Sequence, residues 1–176
     1  MKRLILFALC AVAFLATSCN LATLPYQLES ERYLKSTLKA PSTYRKVNFT
    51  KTADITRKDE IDERVDFYQH QVEFYERMAR TSGSYKEQLA DYQEKLGKVK
   101  ELYEIYADRL DEVTYHEYRL VYEASNQFGV PLRGTFDTRF TAGGYIVGAR
   151  MGEDSWTVLG NFFSMPEYYD IILTEK

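Results

Sequence analysis

Between Arg57 and Glu112 the apolar residues fall on two heptad seams. Ile61, Val65, Tyr68, Val72, Tyr75 and Ala79 are spaced 4, 3, 4, 3, 4. Beyond the polar stretch Thr81-Ser82-Gly83-Ser84, the residues Tyr85, Leu89, Tyr92, Leu96, Val99, Tyr103, Tyr106 and Leu110 continue at 4, 3, 4, 3, 4, 3, 4. Such spacing lays one apolar stripe along each of two helices, and the short polar turn folds them together antiparallel. In that register Ala79 faces Tyr85, Tyr75 faces Leu89, Val72 faces Tyr92, Tyr68 faces Leu96, Val65 faces Val99 and Ile61 faces Tyr103. Large side chains mostly meet small ones, which fills a seam without voids. The first helix should span about 30 Å and the second about 40 Å, at roughly 1.5 Å per residue. Tyr106 and Leu110 then overhang, and the body outside the hairpin is their expected cover.

Outside this stretch the period changes. Residues 29–39 read as a short helix, with Leu34 and Leu38 one turn apart and acids in the first turn. Ala40-Pro41-Ser42 ends it. Residues 44–52 alternate as a strand, with Val47 and Phe49 on one face. From Val113 the period is two, and Tyr118, Leu120, Tyr122 and Ala124 alternate with Arg119, Val121, Glu123 and Ser125. A turn at Asn126-Gln127-Phe128-Gly129 leads into residues 132–142, which put Phe136 and Phe140 on one face and Arg133, Asp137 and Arg139 on the other. Gly143-Gly144 and Gly152-Glu153-Asp154 separate two further strands, residues 145–150 and 155–162. The expected fold class is α+β. A small antiparallel sheet carries an N-terminal helix on one face and is wet on the other, and an antiparallel two-helix coiled-coil hairpin is inserted into it. The expected organisation is a leader at 1–18, a tether at 19–28, a body made of 29–56 and 113–176, and the hairpin at 57–112. Tyr168, Ile171 and Ile172 suggest a docked tail.

Charge narrows the choice of partner. The chain has 176 residues and a net charge of −3, a near-neutral balance that argues against nucleic acid as the main partner. The hairpin holds 10 basic and 15 acidic residues. Its acidity argues against docking on anionic headgroups and suits a solvated helical surface.

The N-terminus reads as an address. Met1-Lys2-Arg3 precedes an unbroken apolar run of twelve residues, 4–15, followed by Leu15-Ala16-Thr17-Ser18-Cys19. The run is short for a membrane span and fits a secretory leader. The order of charge, apolar run, small residues and cysteine resembles the signal and lipobox of bacterial lipoproteins. That resemblance implies cleavage before Cys19, which would become the N-terminus and carry the lipid. Asn20, by the family's sorting rule, implies the outer membrane of a Gram-negative cell, with the periplasmic or outer side left open. The alternative is an ordinary cleaved leader with a chance cysteine. Cleavage would remove two basic groups and Cys10, leaving a net charge of −5 and no free thiol.

The body also resembles a family of small exported bacterial modules of uncharacterised function. The resemblance rests on Leu38-Lys39-Ala40-Pro41-Ser42-Thr43 with Phe49, on residues 118–133 including Asn126, Phe128 and Gly129, and on Trp156. That family runs directly from the first piece into the strands, which makes the hairpin an insertion. It implies no activity and no catalytic residues.

Candidate chemistry is sparse. His70 lies in the hairpin, and His116-Glu117 lacks the second histidine of a zinc-peptidase helix. The chain shows no nucleophile elbow, phosphate loop or dinucleotide fingerprint. No enzyme, metal or cofactor is expected. Asn48-Phe49-Thr50 is a sequon that carries little meaning in a bacterial lipoprotein. Arg133, Asp137 and Arg139, with Arg119 and Glu123 opposite, read as cross-strand pairing or as a site for an anion or sugar. Trp156 reads as core or as a stacking platform. The sharper signal is a second stripe, Phe67, Gln71, Phe74 and Met78, spaced 4, 3, 4 and outside the seam. It lies toward the turn and away from the expected body. The leading expectation is therefore a membrane-anchored, non-enzymatic envelope lipoprotein. Its hairpin would offer Phe67, Phe74 and Met78 to an envelope protein or to a second copy. The alternative is a module that binds a small ligand or glycan on the sheet face and Trp156.

Overall fold

The structure is a computed structural model that describes residues 22–159 and 164–173. It is α+β, with a five-stranded antiparallel meander in the order β1-β2-β3-β4-β5. The strands are β1 (Arg45–Thr56), β2 (Val113–Ser125), β3 (Pro131–Thr141), β4 (Ile146–Met151) and β5 (Thr157–Val158). Helix α1 covers residues 22–37, α2 covers Arg57–Thr81, α3 covers Lys86–Ile105 and α4 covers Pro166–Leu173. The chain divides into two compact units, and the division falls inside β1 and β2. Residues 22–53 and Glu117–Leu159 form the body. Asp54–His116 and residues 164–173 form the hairpin unit.

In the body, α1 covers one face of the sheet. Leu34 is fully buried among Leu120, Tyr122, Ala124, Phe136 and Ala149. Tyr26 stacks on Tyr118 and meets Phe140 edge-on, while Phe49 of β1 stacks on Tyr118 from 5.1 Å. One polar pair is sealed in this interface, Ser30 and Thr138, whose hydroxyls lie 2.8 Å apart. Burial alternates along β2, as its period of two requires. Residues 22–28, expected as tether, are helical instead. Tyr26 explains the difference, because its ring belongs to the aromatic cluster and holds the first turns of α1 on the sheet. The last strand is also shorter than expected. Only Thr157–Val158 pair with β4, and residues 160–162 lie outside the described part.

In the hairpin unit, α2 starts with a reciprocal cap. The Asp59 amide donates to the Thr56 hydroxyl, and the Thr56 amide donates to the Asp59 carboxylate at 2.8 Å. Two more first-turn amides, those of Arg57 and Lys58, donate to the carbonyls of Glu112 and Leu110 at 2.9 Å each. This explains why α3 stops at Ile105 rather than continuing through Leu110, as the heptads suggested. The segment after it must turn back to supply those carbonyls to the open end of α2. At 20 residues α3 is about 30 Å long rather than 40 Å.

The seam has the expected register. Tyr92 lies between Tyr68 and Tyr75, with ring centres 6.2 and 5.0 Å away, which places it against Val72. The overhanging Tyr106 and Leu110 find their cover within this unit. Met165, Tyr168 and Ile171 join the hairpin core, so the tail docks here and not on the body as the expected boundaries had it. That docking also buries Leu102, which lies off the two-helix seam.

A polar cluster closes the base of the hairpin. Arg57 is 4% exposed and Glu60 3%. The Arg57 guanidinium donates to the Ser164 carbonyl at 2.9 Å and to the Glu112 carboxylate at 3.1 Å, and it lies 4.5 Å over the Tyr106 ring. Ser164 donates its hydroxyl to Glu60, and Tyr106 donates to Glu167. Burial, with Glu60 beside it, pushes the Tyr115 phenol up to about 12.

Candidate functional site

Helix α2 has two apolar faces, and only one is closed by its partners. Tyr68 and Val72 are buried in the seam, whereas Phe67 is 50% exposed and Phe74 44%. Met78 is half-buried, as is Gln71 between the two phenylalanines. Each exposed ring leans edge-on against the adjacent seam tyrosine, Phe67 on Tyr68 and Phe74 on Tyr75, with centres 5.1 Å apart in both pairs. The rings are therefore supported from beneath and held outward. From Phe67 to Met78 the stripe runs about 16 Å along the helix. Asp66, Glu73 and Arg77 are exposed beside it, as is His70, whose Nδ1 donates to the Asp66 carbonyl at 2.8 Å. The structure thus brings Phe67, Phe74 and Met78 onto one accessible face. Cys19, the expected lipidation point, lies outside the described residues.

The charged face of the sheet is a closed network. Asp137, only 4% exposed, accepts two hydrogen bonds from Arg119, at 2.7 and 2.8 Å, and one from Arg150 at 3.0 Å. Burial alone would raise its pKa, but the two guanidiniums more than offset that and hold the carboxyl below its usual range. Arg139 pairs with Glu117 at 2.8 Å, and both are largely buried. Trp156 packs over Gly148, where a Cβ would stand 3.3 Å from its ring. The guanidinium carbons of Arg139 and Arg150 lie 4.8 and 4.7 Å from the Trp156 ring centre.

This arrangement revises three expectations. Trp156 belongs to the ionic face and not to the apolar core, and its ring is already engaged. Glu123 pairs with Arg45 and takes no part in the network. Arg133 stands apart and is exposed. Arg150 was absent from the expected set because its role needs the strand register, in which it stands directly opposite Asp137.

His116 pairs with Asp54, and Tyr103 donates to Asp62. Among the described residues no group of three histidines, cysteines or carboxylates could hold a metal ion, and no helix is long and apolar enough to cross a membrane. The Ser125 amide at the end of β2 donates to the Thr43 hydroxyl at 2.8 Å. No protein-family model, curated protein or solved structure matches the chain.

Proposed function

We propose that the protein is a non-enzymatic, lipid-anchored lipoprotein of the cell envelope whose helical hairpin is a protein-recognition surface. The observation that carries this reading is the half-exposed pair Phe67 and Phe74, braced from below on a helix whose neighbouring seam face is closed. Two aromatic rings held open to water are costly for a soluble surface, and burying them against a partner returns that cost. Rigid aromatics also lose little conformational entropy on binding, which suits them as anchors. The exposed acids around the stripe would bias the choice of partner toward a basic rim. Anchoring rests on Cys19, since each acyl methylene buried in a bilayer contributes about 0.8 kcal/mol.

The alternative reading, a glycan or small ligand stacked on Trp156, has less in its favour. Both guanidiniums beside that ring are already committed to carboxylates.

The test is in-cell cross-linking of the intact protein beside a Phe67→Asp, Phe74→Asp double variant, with circular dichroism to confirm folding. Selective loss of one cross-linked band, to an envelope protein or to a second copy, is the expected result. An unchanged set of bands in a folded variant would overturn it. Anchoring is checked separately by fractionation, where Cys19→Ser should leave the membrane fraction.

A further inference from the structure

The body holds a cleft that the hairpin reading does not use. It opens at the C-terminal end of α1, where β2 ends and β3 begins, and encloses about 320 Å³. That is the lower end of the range for small-molecule sites, about 300–1,000 Å³. Leu38, Tyr122, Leu132 and Met151 give it apolar walls, although Leu132 is 54% exposed and Met151 38%. Lys39 and Arg133 are its only charged lining residues, and both are exposed.

Charge accounting sets Arg133 apart, and Lys39 stands beside it on the same rim. The body has five other arginines among its described residues, Arg32, Arg45, Arg119, Arg139 and Arg150, and each is paired with a carboxylate. Arg133 has no such partner among the described residues, and neither does Lys39. Two cations on the rim of an apolar cleft, with no acid lining it, are complementary to a molecule with an anionic head and an apolar body.

The floor of the cleft is also specified. A Cβ at residue 134 would stand 2.8 Å from the Tyr122 hydroxyl and 2.9 Å from the ring carbon that bears it. The Tyr122 ring therefore lies across β3 only because Gly134 has no side chain. A larger residue there would force the far end of the Tyr122 ring to shift. A second cavity of about 200 Å³ shares Thr37 and Met151 with the first, but Arg150 and Asp154 line it as well as Tyr33 and Phe136. The apolar part of a ligand is therefore held by the first cleft alone.

We infer that this cleft binds a free amphiphilic anion, such as a medium-chain carboxylate. The head sits between Lys39 and Arg133, and the apolar body lies over Tyr122 and Leu38. The site is independent of the hairpin surface.

The experiment uses the full chain in uncharged detergent and a decanoate analogue bearing a photoreactive diazirine on its chain, with labelled peptides mapped by mass spectrometry. Labelling is expected on the peptides holding Tyr122, Leu132 or Met151. It should fall at least tenfold with the methyl ester of the same probe, and equally in Lys39→Glu, Arg133→Glu. Both positions are exposed, so that variant should keep its dichroism spectrum. Gly134→Val should block labelling by displacing Tyr122, and excess decanoate should compete. Phe67→Asp, Phe74→Asp should leave labelling unchanged, which separates this site from the hairpin reading. Labelling that is indifferent to head charge, or spread evenly over other exposed apolar residues such as Leu28 and Phe128, would overturn the inference. So would protection by phosphatidylglycerol vesicles but not by decanoate, which would make the ligand a bilayer headgroup.

Discussion

The two units bury charge in different ways. In the body, Asp137 is neutralised by Arg119 and Arg150, residues on the strands to either side of it, and Arg139 by Glu117 of β2. These pairs follow from strand register and hold as long as the sheet does. In the hairpin unit, Arg57 and Glu60 sit one turn apart on α2, yet each bonds to a distant piece of chain. Arg57 reaches Glu112 and the Ser164 carbonyl, and Glu60 reaches the Ser164 hydroxyl. The first arrangement decorates a structure that pairing already defines. The second fastens a helix, a loop and a tail that are far apart in the sequence, alongside the backbone bonds from Arg57 and Lys58 and the apolar contacts of the tail. Buried charge in the body should therefore matter less than its apolar core, whereas in the hairpin unit the polar base should matter nearly as much as the seam.

The first way to break that comparison is in the body's core. Phe136 is 1% exposed between α1 and the sheet, and Phe136→Ala should destabilise the body by about 3–5 kcal/mol. The chain has a single tryptophan, Trp156, and it lies in the body. Urea unfolding followed by its fluorescence should shift to a lower midpoint. Ellipticity at 222 nm, weighted toward the long helices of the hairpin, should shift less. Equal shifts would mean that the two units unfold as one.

The next test removes the base of the hairpin. Arg57→Ala deletes two charge-assisted hydrogen bonds and the contact with Tyr106, and leaves the Ser164 carbonyl without its donor. The expected loss is about 2 kcal/mol, since hydrogen bonds to charged groups contribute roughly 1.5–3 kcal/mol. Here the helical signal should move and Trp156 fluorescence should not. Arg57→Lys should restore little, because a single ammonium cannot serve both acceptors from a planar fork.

Acid should sharpen the contrast further. The Asp137 carboxyl is held low against its own burial by Arg119 and Arg150, and Glu112 is held low by Arg57 and then Arg109. A carboxylate with a depressed folded pKa stabilises the fold above its unfolded value, near 4, and that contribution is lost as pH falls through the lower folded value. Stability in both units should therefore decline below about pH 4. Asp137→Asn should flatten the decline seen by Trp156 fluorescence and leave the helical signal titrating as before, at a neutral-pH cost of about 1–3 kcal/mol.

Where sequence alone succeeded, the interaction is set by period. The seam could be read because heptad spacing fixes which residues of two antiparallel helices meet, and Tyr92 takes its place between Tyr68 and Tyr75 on that basis. Burial along β2 could be read for the same reason. What escaped reading depends on contacts between segments far apart in the chain. Leu102 is off the two-helix seam, yet it is buried in one core with Met165, Tyr168 and Ile171, residues that no spacing within the hairpin announces. The end of α3 at Ile105 contains no glycine or proline, and it follows from the needs of the α2 N-terminus instead. In the candidate sites the exposed phenylalanines were legible as a stripe out of phase with the seam. The cleft was not, because it depends on one absent side chain at Gly134 and on one lysine and one arginine brought together on its rim.

The smallest expected effect on stability is the one that bears most on function. Phe67 and Phe74 are about half-exposed, and each leans edge-on against a neighbouring tyrosine. Replacing both with aspartate gives up those edge contacts and adds two charges to an already acidic helix, but it opens no cavity and buries no carboxylate. Surface substitutions of this kind usually stay within about 0.5 kcal/mol per site. The double variant should thus unfold within about 1 kcal/mol of the parent, by both Trp156 fluorescence and ellipticity at 222 nm. A loss of several kcal/mol would show that the two rings are part of the hairpin core, and the stripe would then be explained by folding alone. A near-zero loss leaves two phenylalanines that the fold does not need, and what selects them must act outside the folded chain.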